Sequence, residues 1–98
     1  MGRYRPVIPP HVAEVIRSLH SDLKRSVRNA LRALGDDPSA GSPLRRELEG
    51  LWNFRVRRFR VVYAVDRSRP IVQVVAVDHR RTIYEELSEE RLRQGGTK

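Results

Sequence analysis

LWNFRVRRFRVVYAVDRSRPIVQVVAVDHRRTIY, residues 51–84, decides the fold of this chain. Phe54 and Val56 alternate with Asn53 and Arg55. Beyond Arg57 and Arg58, the apolar residues Phe59, Val61, Tyr63 and Val65 alternate with Arg60, Val62, Ala64 and Asp66. A period of two is the signature of a strand with one buried face. If Arg57 and Arg58 form a two-residue hairpin turn, counting outward pairs Val56 with Phe59, Arg55 with Arg60 and Phe54 with Val61. The six apolar residues then share one face. On the opposite face Arg55 lies directly across from Arg60. Like charges in that position are destabilising, on the order of 0.2–1 kcal/mol. A chain that keeps such a pair is suited to a polyanionic ligand.

Charge bookkeeping points the same way. Between Gly50 and Arg81 there are eight arginines (55, 57, 58, 60, 67, 69, 80 and 81) and two acids (Asp66 and Asp78), a net of +6. The whole chain carries +8, so the other residues contribute only +2. Positive charge concentrated on a sheet is the footprint of phosphate-backbone binding. Arginine far outnumbers lysine, and its planar fork matches phosphate geometry. The plainer reading is a solvated basic surface, or a patch for an acidic protein.

Composition limits the alternatives. With 98 residues the chain makes one domain with a modest core. Its 39% hydrophobic and 33% charged residues describe a globular protein rather than a disordered or membrane-spanning chain. The opening MGRYRPVIPP lacks the apolar run of a signal peptide, so a cytoplasmic location is expected. The absence of cysteine excludes disulfides, thiol catalysis and thiolate metal sites. His11, His20 and His79 are scattered without metal-ligand spacing. No metal and no cofactor are implied.

Upstream, Tyr4 to Ile8 reads as a short strand that Pro6 confines to a sheet edge. Pro9 and Pro10 open a helix with Val12, Val15, Ile16 and Leu19 on one face. Ser21 is placed as the N-cap of a second helix carrying Leu23, Val27, Ala30, Leu31 and Leu34. Gly35 suits its end, and residues 36–43 read as loop. Downstream, Ile71 to Val77 is almost wholly apolar, as in a central strand covered on both faces. Tyr84, Leu87 and Leu92 have the spacing of a short helix over 85–93, with a tail at 94–98. The predicted class is α+β: a short N-terminal edge strand, an αα-hairpin, a three-stranded antiparallel meander and a short C-terminal helix. That is β-α-α-β-β-β-α, with the helices packed on one sheet face.

These residues resemble a known family. The αα-hairpin after a short strand, the Leu48–Trp52 lead, FRVRRFRVVYAVD and VDHRRTIY are similar to the RelE/ParE superfamily of toxins from bacterial and archaeal toxin–antitoxin systems. The likeness runs from Tyr4 to Leu87, so 1–98 is expected to be a single RelE/ParE-like domain. Its specific part is the spacing of Arg55, Arg60, Tyr63, Arg80 and Tyr84. One departure is the turn, where the family often has Gly-Asp and this chain has Arg57 and Arg58, neither suited to positive φ.

The resemblance to the RelE-like branch implies a type II toxin that cleaves messenger RNA in the ribosomal decoding site. The ribose 2′-hydroxyl attacks the adjacent phosphate without a metal, and translation stops. It implies that Arg55 and Arg57 contact the RNA backbone and help activate the nucleophile. Arg60 would stabilise the charge building on the phosphate, Arg80 would stand near the leaving oxygen, and Tyr84 would stack on a base or assist proton transfer. Arg58 and Arg81 complete the candidate RNA contacts. The implied partners are a cognate antitoxin bringing acids to the arginine face, and the ribosome with its rRNA and mRNA. No membrane is implied, and DNA only indirectly, through the antitoxin complex.

The chemistry itself needs a base at the 2′-hydroxyl, an acid at the leaving 5′-oxygen and cations for the phosphorane-like charge. Arginine supplies the cations but is a poor acid. Histidine titrates in the useful range, and a tyrosine among arginines can have its pKa lowered, so His79 or Tyr84 is expected to move protons. Each has a plainer reading, His79 as a hydrogen-bonded strand end and Tyr84 as the seat of the C-terminal segment. Tyr63 is expected in the core and Trp52 as a packing residue. Two rival functions remain: a ParE-like DNA gyrase inhibitor without RNase activity, and an inactive relative that only binds RNA or an acidic protein.

Overall fold

The computed structural model describes residues 3–79 and 83–95. Strand β1 (Arg5–Val7) leads into helices α1 (Pro10–Arg17) and α2 (Ser21–Asp36). A two-residue strand, β2 (Ser42–Pro43), precedes β3 (Leu51–Val56), β4 (Phe59–Asp66), β5 (Ile71–Asp78) and helix α3 (Ile83–Gly95). The strands form one five-stranded sheet in the order β1-β5-β4-β3-β2. No helix among the described residues is long and apolar enough to cross a membrane.

The hairpin count holds. Val56 pairs with Phe59, Arg55 with Arg60 and Phe54 with Val61. At the turn only Arg57 takes positive φ (56°), the pattern of a II′ rather than a I′ turn. The arginine pair therefore survives a turn that glycine would make without strain.

Alternation sorts the sheet into two faces. Val56, Val61 and Tyr63 are buried against Val12, Ile16, Val27, Ala30, Leu31 and Leu34 of α1 and α2, with Phe54, Phe59 and Val65 packed at the margin. The α2 stripe Val27, Ala30, Leu31 and Leu34 has the i, i+3, i+4, i+7 spacing that makes one helical face. On the other face Leu48, Leu51 and Val62 form a smaller core with Tyr84 and Leu87 of α3. The helices thus cover both faces, α1 and α2 one and α3 the other, where the sequence suggested one.

Strand β5 carries a register shift that periodicity conceals. Val62 opposes Ala76 and Tyr63 opposes Val74, so Val75 is an extra, bulged residue. The bulge resets the alternation, letting Val72, Val74 and Val77 all join the larger core. β5 is not the central strand; β4 is. Its outer neighbour β1 runs parallel and covers only Ile71 to Gln73. Beyond Gln73 that edge has no strand partner among the described residues.

Three further readings are revised. Ser21 is the first residue of α2, preceded by His20, and no side chain caps that end. Residues 36–43 are not a plain loop. Asp37 caps a 3-10 turn at Pro38–Ala40, accepting from the Ser39 N–H at 3.1 Å, and β2 then pairs with Trp52 and Asn53. Helix α3 is longer at both ends than 85–93, taking in two residues assigned to the tail.

Tyr63 and two glycines join the layers. The Tyr63 hydroxyl donates to the Pro38 carbonyl at 2.7 Å and accepts from the Gly41 N–H at 3.2 Å. A Cβ at Gly41 would lie 2.5 Å from that hydroxyl and 2.6 Å from the Asn53 carbonyl oxygen, so only glycine fits. At Gly35, inside α2, a Cβ would meet the Tyr4 carbonyl oxygen at 2.8 Å, where β1 crosses the helix.

Candidate nucleic-acid interface

The face opposite α1 and α2 carries the candidate site. Because Val56, Val61 and Val77 point into the larger core, their neighbours Arg55, Arg60 and Asp78 point the other way. The register sets these three in a row across β3, β4 and β5, Arg55 opposite Arg60 and Arg60 opposite Asp78. Tyr84, in the first turn of α3, closes over the row. The Arg60 guanidinium carbon stands 5.7 Å from the centre of the Tyr84 ring, in cation–π range. Arg60 and Tyr84 are half-buried and Arg55 is exposed.

The electrostatics reverse one expectation. Burial pushes the Tyr84 phenol above its ordinary value, and the charges of Arg60 and then Arg55 only partly pull it back. Desolvation of the phenolate outweighs two nearby cations. Tyr84 is therefore a neutral hydroxyl near pH 7, a proton donor and not a ready-made base.

Helix α3, which sets the Tyr84 ring, is fixed by its own contacts. Leu87 packs into the smaller core with Leu48 and Leu51. The Arg91 guanidinium donates to the carbonyl oxygens of Glu47 at 3.1 Å and Glu49 at 2.8 Å, clamping the helix to the 3-10 turn at Arg46–Leu48.

The other expected residues are spread around this row. Arg57 and Arg58 are exposed at the hairpin tip. There they border a 410 Å³ hollow with His20, Asp22, Leu23 and Phe59, away from Tyr84. His79 is exposed at the end of β5, its ring 5.2 Å from that of Phe59 and its Nδ1 3.6 Å from Asp78 Oδ1. Arg80 and Arg81 lie outside the described residues. Tyr63 is fully buried, as expected, and Trp52 stacks on it at 6.3 Å.

Two residues of this face escaped the sequence reading. Asp78 was legible only as one of several polar residues at a strand end, and its place beside Arg60 comes from the bulge. Asn53, two residues before Arg55 on the same face, has its side-chain oxygen buried without a hydrogen-bond donor. A polar residue in an otherwise apolar half-strand was the available signal.

Comparison with known proteins follows the same outline. The family described as ParE toxin of type II toxin-antitoxin system, parDE, matches residues 11–84. Toxin RelG of Mycobacterium tuberculosis is 36% identical over 78 residues, which is 79% of this chain and 78% of that protein. Among solved structures, the RelBE2 toxin–antitoxin complex of M. tuberculosis is similar at 28% identity and a TM-score of 0.72, covering 79% of this chain and 91% of the other. A mutant of E. coli toxin RelE in the free state is similar at 20% identity and a TM-score of 0.71, covering 96% and 98%. At that identity the likeness is one of fold.

Proposed function

Because the chain belongs to the RelE/ParE superfamily of type II toxin–antitoxin toxins, and is RelE-like in its matches, we propose that it is a ribosome-dependent endoribonuclease. It cleaves messenger RNA in the decoding site without a metal ion and so inhibits translation. The observation that carries this reading is the Arg55–Arg60 pair brought under Tyr84 on a single face, with the Arg60 guanidinium 5.7 Å from the ring. A gyrase-binding protein has no need of that cluster.

In this mechanism the 2′-oxygen forms a bond to phosphorus and the bond to the 5′-oxygen breaks, leaving a 2′,3′-cyclic phosphate and a 5′-hydroxyl. Arg55 and Arg60 hold the non-bridging oxygens and offset the charge that grows on them. The neutral Tyr84 hydroxyl gives its proton to the departing 5′-oxygen, which as an alkoxide is the stronger base. The 2′-hydroxyl gives its proton to solvent water, with His79, whose ring lies against Phe59 at the end of β5, as the other candidate acceptor. Arg80 retains the assignment near the leaving oxygen, and Arg57, Arg58 and Arg81 that of backbone contacts. A cognate antitoxin is the expected protein partner, as in the RelBE2 complex, and the ribosome supplies the RNA substrate.

A second reading has a specific observation behind it. The matching family is described by its ParE members, which favours a gyrase-directed toxin. Primer extension on a translated message separates the two. Cuts within codons, reduced about 10²–10³-fold by Arg60→Ala, are expected for the nuclease, on the scale of losing one group that stabilises transition-state charge. DNA breaks that require gyrase, unaffected by Arg60→Ala, would replace it with the ParE-like reading.

A further inference from the structure

The molecule carries a second basic surface, on the far side from Arg60. Along α2, Lys24, Arg28 and Arg32 recur every fourth residue, with Arg25 beside them; the three arginines are exposed, Lys24 is half-buried beside α1, and Asp22 and Asp36 share the exposed side. At 1.5 Å rise per residue the recurring cations stand about 6 Å apart along the axis. Like charges at that spacing repel and weaken a helix. No described carboxylate lies within ion-pairing distance of any of the four. Hollows flank the helix on both sides. One, of 240 Å³, lies between α1 and α2 and is rimmed by Lys24, Arg28 and Arg17. The other, of 330 Å³, brings Arg32 together with Arg3 and Arg5 of the N-terminal segment.

We propose that this surface, formed by Lys24, Arg25, Arg28 and Arg32 with Arg3 and Arg5, docks the phosphate backbone of double-helical RNA, separately from the strand held at Arg60. Only the choice of RNA over DNA rests on the proposed function. Three observations select this occupant. The exposed residues of α2 are Ser21, Asp22, Arg25, Arg28, Asn29, Arg32, Ala33 and Asp36, with no large apolar side chain among them. A protein partner needs an apolar centre to its interface, whereas a nucleic-acid interface is polar and strongly positive. The helix also lacks any aromatic side chain on which an unpaired base could stack, which single-strand binding uses. Duplex RNA, by contrast, is held largely through phosphates and shape. One cation per turn matches a row of phosphates along one strand, and the flanking hollows admit them.

The two basic faces lie on opposite sides of the sheet, separated by the larger core. The chain can therefore hold a substrate strand on one side while anchored to structured RNA on the other.

The test is equilibrium binding of a blunt RNA duplex of about 16 base pairs, followed by fluorescence anisotropy across a salt series. Each phosphate contact contributes about 0.9 to the slope of log affinity against log salt. Lys24→Gln, Arg28→Gln and Arg32→Gln together are expected to lower that slope by about 2–3. Arg93→Gln, at an exposed cation outside both basic clusters, should leave it unchanged, and Arg28→Lys with Arg32→Lys, which keeps the charges, should keep the slope. Circular-dichroism melting of the triple variant is expected at or above that of the parent, since repulsion is removed. Arg28→Gln alone, costing about one contact, covers the case in which the triple variant does not fold. A slope that survives all the α2 substitutions, or one lost only when Arg55 and Arg60 are changed to Gln, overturns the proposal. Neither result bears on codon cleavage, which Arg60→Ala tests separately.

Discussion

Tyr84 shows how one side chain's environment decides its chemistry. Its neighbours Arg60 and Arg55 favour the phenolate, and burial against the smaller core favours the neutral phenol more. A folded-state pKa above the unfolded value of about 10 contributes stability that is complete below pH 10. That stability is lost as pH rises through the folded pKa. Tyr63 behaves the same way for the same leading reason, with the Gly41 N–H as a partial counterweight. The expected result is an NMR titration of ring-labelled tyrosine in which the resonances of Tyr63 and Tyr84 both move only above pH 10. In Arg60→Gln the Tyr84 midpoint should rise further, because a cation that lowers it is gone. A Tyr84 midpoint below 10 would return the residue to the role of base. The direction was not legible in the sequence. Composition shows the arginines around a tyrosine but not the depth of its ring.

At the scale of elements, the local patterns were readable and the distant contacts were not. Alternation on either side of Arg57 and Arg58 was enough to place Arg55 across from Arg60, and helical spacing was enough to find the buried stripe of α2. The bulge at Val75 was hidden because a run of valines looks the same in either alternation. Strand β2 was hidden because two residues have no period; it depends on Gly41 fitting between Tyr63 and Asn53. Gly41→Ala is expected to cost about 1–3 kcal/mol, as overpacking does, measured by urea denaturation. Tyr63→Phe should cost about 1–3 kcal/mol through the unsatisfied Gly41 N–H and Pro38 carbonyl. Together they should cost less than the sum, since removing the hydroxyl relieves one of the two clashes.

The docking of α3 is the other long-range feature, since Arg91 reaches carbonyls more than forty positions earlier in the chain. Arg91→Ala removes both hydrogen bonds. Solvent exposure limits the loss to about 1 kcal/mol. Hydrogen exchange should report it as faster opening of α3 with little change in β4, the strand buried between the two cores. If α3 exchanged no faster, the helix would be held by the packing of Tyr84 and Leu87.

For the whole molecule, charge sets the balance. Twenty Lys and Arg residues face twelve Asp and Glu, and the ion pairs among the described residues include only Arg17 with Glu14, Arg69 with Asp66 and the His79–Asp78 contact. The basic groups occupy both the Arg55–Arg60 face and the exposed side of α2. The radius of gyration is 13.3 Å. At 0.01 M salt the screening length of about 30 Å exceeds that radius, and nearly every cation senses the others. At 0.15 M it falls to about 8 Å and the repulsion becomes local. A protein held together by surface ion pairs loses stability over that range. This one, whose net charge of +8 opposes compaction, is expected to gain it. The measurement is the melting temperature from 0.01 to 0.15 M sodium chloride, with a rise of a few degrees expected, about that of a 1 kcal/mol gain in a domain of this size. A polyanion in place of the salt should raise it further by binding the folded state. A melting temperature that fell with salt would mean that attractive pairs outweigh the repulsion, and that the two basic faces cost the fold little.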